Sequence, residues 1–469
     1  MKTGSHDSCC WTSRIPRAFR QLAAAWVACA VPSLHAGLEF GPISGAVTTH
    51  SAEVRVGVEP NGEPWSIVAR QVGRGAGEVV TAAGVATADG AGVLVFRLDG
   101  LSAGAEYEYA VVEGSGSTGV AATGRFRTFP DRAASFRFVF GSCARTGSDH
   151  EVFSAIRAVD PMFFLHTGDL HYENIPNDDP EAFRAAYRRV FTSPRQAALL
   201  RSVPLVYVWD DHDFGPNDSD RGSPGRSAAR RAYRETIPHY PLAFGSGDEP
   251  ISQAFSIGRA RFIVTDLRSE RSASGDADTA HKTMFGDLQK EWFKREISAA
   301  HRSHAVVFWV SPVSWISRAG RGGDNWGAYD TERQELARFF ADNGVDNLVV
   351  LSGDAHMLAA DDGRNARYAG RERAGPIAVL QAASLDQTAS YKGGPYSHGA
   401  YLPGAEEGCF GLVDVFDDGL QVRVAFSGRN HLQEEKIRLE FVVPGRSSGS
   451  GDTGRAGHVG HAATDDQKK

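Results

Sequence analysis

Side chains able to bind a metal or an anion recur in this chain directly after apolar runs. Cys143 follows "FVFGS"; Asp169 and Tyr172 lie in "HTGDLHY"; Asp210, Asp211 and His212 lie in "WDDHD". Asp266 and Arg268 close "VTDLRS", and Asp354 and His356 close "LSGDAH". One acid after a strand is ordinary turn chemistry. Five such endings call for another reason, because convergent carboxylates repel one another and cations are what neutralise them. The spacings suit coordination. Gly168 allows a tight exit from its strand, so that Asp169 can bridge two ions and Tyr172 can return as a phenolate. Asp354 and His356 stand two apart, and on extended backbone they point the same way and can share an ion. Thiolate, phenolate, imidazole and carboxylate together favour a transition metal such as iron. A subsite of Asp and Asn oxygens suits a harder ion such as calcium.

These residues need a scaffold that brings strand ends together. From about residue 135 to 440, near-continuous apolar runs such as "VPLVYVWDD", "ARFIVTDLRS", "HAVVFWVSPV" and "GPIAVLQAAS" read as strands buried on both faces. Helical stretches separate them, for example "FGDLQKEWFKREISAA", whose Leu288, Trp292, Phe293 and Ile297 are expected on one apolar face. An α/β sheet layered by helices follows, with ligands outside the carboxyl ends of the strands. Residues 38–130 instead alternate apolar and polar positions between Gly-rich turns, which predicts an all-β sandwich of fibronectin type III-like character. That segment carries no cluster of titratable groups, so its expected role is to shape or shield.

The bulk numbers set bounds. The 469 residues, 42% apolar and 23% charged, describe a globular protein of two domains with tails. A net charge of −7 argues against a nucleic-acid-binding surface. Arg14, Arg17 and Arg20 precede "LAAAWVACAVPSL" and the small residue Ala36, so residues 1–36 read as a cleaved export signal and the mature protein as periplasmic or extracellular. Loss of Lys2, Arg14, Arg17, Arg20 and Asp7 would take the net charge to about −10. No later run is long enough to span a bilayer. The Gly/Ser-rich stretch 445–469 reads as a disordered tail. Cleavage would leave Cys143 and Cys409, which are either a disulfide pair or a metal thiolate and a small buried hydrophobe.

As a set, "GSC", "GDLHY", "WDDHDFGPND", "TDLR" and "LSGDAH" resemble the PhoD-like alkaline phosphatases, which are similar in their catalytic domain to purple acid phosphatases and other calcineurin-like metallophosphoesterases. The resemblance spans about residues 38–440. It implies a two-sheet metallophosphatase domain flanked by helices behind a β-sandwich, a site holding Fe3+ with Ca2+ or other divalent ions, and hydrolysis of phosphate mono- or diesters by a metal-bound hydroxide. Carried across, Cys143 and Tyr172 are iron ligands, Asp169 the bridge, His356 the imidazole on one metal, and Asp211 and Asp354 ligands of the second ion. His212 corresponds to the catalytic histidine, and Asn217 and Arg268 to phosphate contacts. Relatives commonly read "DDHE" followed by two asparagines, whereas this chain has "DDHDFGPND", which leaves open whether Asn217 or Asp218 faces the site. Asp210 is expected to support rather than ligate, and Asp213 and Asp218 to be solvated loop acids. Asp266 either holds Arg268 or approaches the metals. "GRGGD" at Gly323 reads as a flexible loop. A monomeric phosphoesterase is expected, with a phospholipase D-type phosphodiesterase or a non-catalytic, metal-stabilised surface protein as the rival readings.

Overall fold

Strands with apolar residues on both faces must be covered on both sides, and the seven-stranded sheet shows how. Its parallel core runs Ala260–Val264, Val306–Ser311, Leu348–Ser352 and Ala378–Ala382, all but one residue buried. Along Val306–Ser311, Val306, Phe308 and Val310 face one apolar cluster and Val307 and Trp309 the other. The second of these clusters lies beneath the helices Gly286–Ser303 and Asp330–Asp342, through Phe293, Ile297, Leu336 and Phe340. The first lies between two sheets, where Phe138 of the larger sheet meets Phe262 and Phe308 edge-on at 5.3 and 5.4 Å between ring centroids. These observations come from a computed structural model that describes residues 37–443, except 60–62, 74–78, 88–91, 115–118 and 371–376. The expected export signal, 1–36, and the expected tail, 445–469, lie outside the described residues.

The larger sheet has ten strands. Its parallel centre is Phe136–Gly141, Phe164–His166 and Leu205–Tyr207. On one flank runs the antiparallel meander Cys409–Asp417, Val422–Asn430 and Glu435–Val443. On the other, Leu38–Gly45 joins Leu205–Tyr207 in parallel through Gly45 and Leu205, and leads on to Ser51–Val58, Val93–Asp99 and Val85–Ala86. A Cβ on Gly45 would lie 2.7 Å from the Leu205 carbonyl oxygen and 2.8 Å from Pro238. The join therefore requires glycine.

The N-terminal strands thus differ from the expectation in one respect. They are all β and lie in two sheets, the second being the four-stranded Val79–Ala83, Trp65–Gln71, Glu106–Glu113 and Val120–Arg127. Val54, Val56, Phe96 and Leu98 share one core with Ile67, Tyr107, Tyr109 and Val111. The first of these sheets, however, is continuous with the parallel centre of the ten-stranded sheet, so hydrogen bonding is shared across the expected division at 130–135. The Gly286–Ser303 helix brings a second correction. Trp292, Phe293 and Ile297 are buried, but Leu288 is 56% exposed. Phe285, just ahead of the helix, fills that apolar space against Phe293 at 5.0 Å. Gln289 is buried in its place because its amide donates to the Asp266 carbonyl and its Oε1 accepts from Ser252 Oγ. Among the described residues no helix is long and apolar enough to cross a membrane.

His166, in the central strand Phe164–His166, is fully buried between the Phe164 and Tyr207 rings with neither ring nitrogen hydrogen bonded. Burial lowers its pKa from 6.5 to about 3. The unfolded chain therefore takes up a proton below pH 6.5 that the folded chain refuses, so this stability is complete above 6.5 and lost as pH falls. The loss is about 1.4 kcal/mol per pH unit. Between pH 7 and 5, urea unfolding should show His166→Phe losing about 2 kcal/mol less stability than the parent. Parallel losses in the two proteins would refute the assignment.

Candidate active site

The ligand-capable residues stand where strands end, on backbone that is not relaxed. Cys143, Asp169 and Asp354 all have left-handed φ, at 64°, 55° and 61°. Non-glycine residues hold such angles only where their surroundings over-determine them. Here the three strand ends are laced together. Cys143 N donates to the Gly168 carbonyl at 3.2 Å, Ala144 N to the Asp169 carbonyl at 3.0 Å, and Asp354 N to Ser142 Oγ at 3.2 Å. Gly168, at φ 108°, permits the closest approach, since a Cβ there would lie 2.4 Å from Asp210 Cβ.

Among the described residues three groups of donor atoms result, each with its members within 4.8 Å of one another: Cys143, Asp169 and His356; Asp169, Asp211 and His212; Asp211, Asp218 and Asp324. Asp169 belongs to the first two and Asp211 to the last two. Tyr172 Oη donates to Asp169 Oδ2 at 2.8 Å and lies 3.1 Å from His356 Nε2, so the phenol stands at the first group. His356 Nδ1 is 2.6 Å from the Thr388 carbonyl and must carry the hydrogen, which leaves the Nε2 lone pair turned inward. A histidine whose outer nitrogen is anchored in this way is arranged as metal ligands are. The carboxylates fit the same use: Asp169 Oδ1, Asp211 Oδ1 and Asp354 Oδ2 are buried without a hydrogen-bond partner. Burial, joined by the charges of Asp211, Asp210 and Asp213, pushes Asp169 up, and burial takes Asp354 to about 6. Burial and the neighbouring acids also push the Cys143 thiol and the Tyr172 phenol upward. Holding this set ionised requires positive charge among it.

Asp354 joins none of the three groups; its Oδ1 accepts from Lys392 Nζ at 2.6 Å and its Oδ2 has no hydrogen-bond partner. His212 Nδ1 lies 2.7 Å from Asn174 Oδ1, an acceptor, so Nδ1 carries the hydrogen, and Nε2 stands 3.9 Å from Asp211 Oδ2. The His212 ring lies over Tyr172 at 4.1 Å, and burial lowers its pKa. Asn217 is exposed and outside the groups, whereas Asp218 joins Asp211 and Asp324 and donates its own N–H to Asp211 Oδ2 at 2.7 Å. Of the two, Asp218 faces the acids.

Arg268 requires correction. It was expected to fork onto phosphate, yet its side chain is fully buried. Its Nε donates to Asp210 Oδ1 at 2.5 Å, and its Nη1 and Nη2 fork onto Asp324 at 2.9 and 2.7 Å. Arg271 pairs with the same carboxylate. Burial alone would raise Asp324, but the charges of Arg268 and Arg271 outweigh it and hold the carboxyl well below its usual range. Asp266 holds neither a guanidinium nor a ligand group; its carboxylate accepts from Arg268 N, Ser269 N and Oγ, Ile251 N and Trp209 Nε1. Asp213 is buried rather than solvated, accepting from His171 N at 2.9 Å and Asp210 N at 3.2 Å, and burial raises it to about 7. Cys143 and Cys409 are both buried and free, so no disulfide joins them. Three participants escaped the sequence reading. Asn174 falls within "HYEN", close to a motif, but Asp324 in "GRGGD" and Lys392 in "SYKGGP" follow no apolar run and carry no local signal.

Two face-packed sheets with acids, imidazoles, a thiol and a phenol gathered at their strand ends define a metallophosphatase-like α/β domain. The chain belongs to the PhoD-like phosphatase family, whose model matches residues 138–391. Alkaline phosphatase D of Bacillus subtilis (strain 168) is 25% identical over 316 residues, 56% of this chain and 53% of that protein. The match therefore spans about half the length of this curated relative. In fold, the chain is similar to a solved structure of PhoD, with a TM-score of 0.68 and 17% identity over 90% of this chain and 95% of that one. It is also similar to the purple acid phosphatase PPD1 of yellow lupin (Lupinus luteus) seeds, with a TM-score of 0.60 and 12% identity over 85% and 73%.

Removing Asp324 would leave two buried guanidinium groups short of a counter-charge. Asp324→Ala should therefore cost about 3–5 kcal/mol in urea unfolding. Asn217→Ala, at an exposed position, should stay within about 0.5 kcal/mol of the parent. Equal stability of the two variants would show that Arg268 and Arg271 are not held as described.

Proposed function

We propose that this chain is a metal-dependent phosphoesterase that hydrolyses phosphate mono- or diesters in the periplasm or outside the cell, reached through an export signal at residues 1–36. The observation that carries the reading is Asp169, one carboxylate common to two groups of ligand-capable atoms, with His212 at the edge of the second. Membership of the PhoD-like phosphatase family and the name of its Bacillus relative support the same chemistry. Cys143, Tyr172, Asp169 and His356 would hold Fe3+, the ion that suits thiolate, phenolate and imidazole together. Asp169 and Asp211, with Asp354, would hold Ca2+ or another divalent ion. When bound, such ions withdraw charge from phosphoryl oxygens and acidify water.

The protein's own groups account for the rest. Asn174 fixes the His212 ring through Nδ1, so Nε2 is the nitrogen turned to the substrate; as the imidazolium, protonated on both nitrogens, His212 would give its Nε2 proton to the leaving oxygen and become neutral. Asn217, exposed on the turn after His212, is available to the phosphate. Arg268 acts at one remove: by gripping Asp210 and Asp324 it sets the position of the acids rather than touching substrate. Residues 38–130, read as a fibronectin III-like domain, stiffen one end of the sheet that carries the catalytic residues of 135–440.

The test is to purify the protein, determine its bound metals, and assay aryl phosphate mono- and diesters with and without chelator. Hydrolysis should vanish on chelation and return with metal, and His212→Ala should lower kcat by about 10²–10⁴. Tyr172→Phe should abolish visible absorbance arising from an iron–phenolate bond. Absence of bound metal, or hydrolysis indifferent to chelator, would overturn the proposal.

A further inference from the structure

A phosphate ester is an anion, and beside the proposed metal ions a cationic side chain within reach would add to the hold on it. Arg268 and Arg271 are unsuited, since both side chains are fully buried and committed to Asp324. Lys392 is different. Its Nζ lies 2.6 Å from Asp354 Oδ1, yet a third of its side chain remains accessible. An ammonium has three donors, and Asp354 occupies one of them.

The backbone around Lys392 is fixed to the site. On its N-terminal side, Thr388 accepts from His356 Nδ1 at 2.6 Å and Ser390 N donates to the His356 carbonyl at 3.2 Å. On its C-terminal side, Gly394 N donates to the Ile316 carbonyl at 3.1 Å, and a Cβ on Gly393 would lie 2.2 Å from that same oxygen. The chain is therefore pinned on both sides of a long, flexible side chain. With Nζ on Asp354 Oδ1 and its segment tied to His356, Lys392 stands beside the ligand-capable groups of the site.

We propose that Lys392 is the phosphate anchor of this site, an ammonium seated on Asp354 whose remaining N–H groups take the non-bridging oxygens of the substrate. This rests on the phosphoesterase reading above and sharpens it. Coulomb attraction scales with ligand charge. A monoester is a dianion and a diester a monoanion, so Lys392 favours terminal phosphate groups over internal ones.

The experiment compares metal-loaded wild-type protein with Lys392→Gln, Lys392→Met and Lys392→Arg. Inorganic phosphate binding is measured by calorimetry, metal content by elemental analysis, folding by thermal melt, and kcat/KM on an aryl phosphate monoester and diester. Lys392→Gln should keep its metal and its melt, bind phosphate about tenfold more weakly, and lose more activity on the monoester than on the diester. Lys392→Arg should recover most of the phosphate binding. If the glutamine variant does not melt cooperatively, Lys392→Met decides the same point. Unchanged phosphate binding, an equal loss on both esters, or loss of metal from the neutral variants would overturn the proposal and leave Lys392 serving Asp354 alone. A wild-type protein without metal or hydrolysis would instead remove the phosphoesterase reading beneath it.

Discussion

Repulsion among buried carboxylates is the constraint on which the rest of this structure depends. Asp169, Asp210, Asp211, Asp213, Asp324 and Asp354 are all buried or nearly so. Each needs a counter-charge or a set of donors, because an isolated buried charge is far costlier than a buried hydrogen bond. The protein answers residue by residue. Arg268 and Arg271 hold Asp324, Arg268 also holds Asp210, Lys392 takes one oxygen of Asp354, and two backbone N–H groups take Asp213. Asp211 Oδ1 has only the longer ion pair with Arg268 Nη2, at 3.5 Å, and Asp169 Oδ1 has no hydrogen-bond partner; these two acids are the ones the donor groups share. The uncompensated part of the acidity and the candidate metal centre are the same place.

That arrangement needs a stiff base. Left-handed backbone at Cys143, Asp169 and Asp354 persists because three strand ends are hydrogen bonded to one another above two packed sheets. The aromatic layer of Phe138, Phe262 and Phe308 fixes the separation of those sheets. Four of the N-terminal strands extend the same base, since Gly45 places Leu38–Gly45 directly beside Leu205–Tyr207, the strand that leads into "WDDHD".

Much of this was legible in order along the chain. Apolar runs marked the buried strands, and the acids, Cys143 and His356 just after them stand at strand ends, several of them in the donor groups described above, because strand periodicity and strand ends are local properties. Regular strand structure proved shorter than the runs suggested. "VPLVYVWDD" keeps only Leu205–Tyr207 in the ladder and "PMFFLHTGDLHY" only Phe164–His166, since the backbone must leave the sheet early to turn its acids inward. Leu288 of Gly286–Ser303 faces solvent against the phase its pattern predicts, because Phe285, outside the helix, and the hydrogen-bonded Gln289 take the core space.

By itself the sequence determined which residues lie at strand ends and which chemical types they bring, because both follow from short-range pattern. Only the tertiary structure decided how the charges are paired. Arg268 follows its motif as if free to meet a ligand, yet Asp324, 56 residues away in a glycine-rich loop, claims it. Lys392, in a segment with no motif, reaches Asp354, 38 residues distant, and keeps part of its surface open. Ion pairing depends on distance in space, which no spacing along the chain encodes.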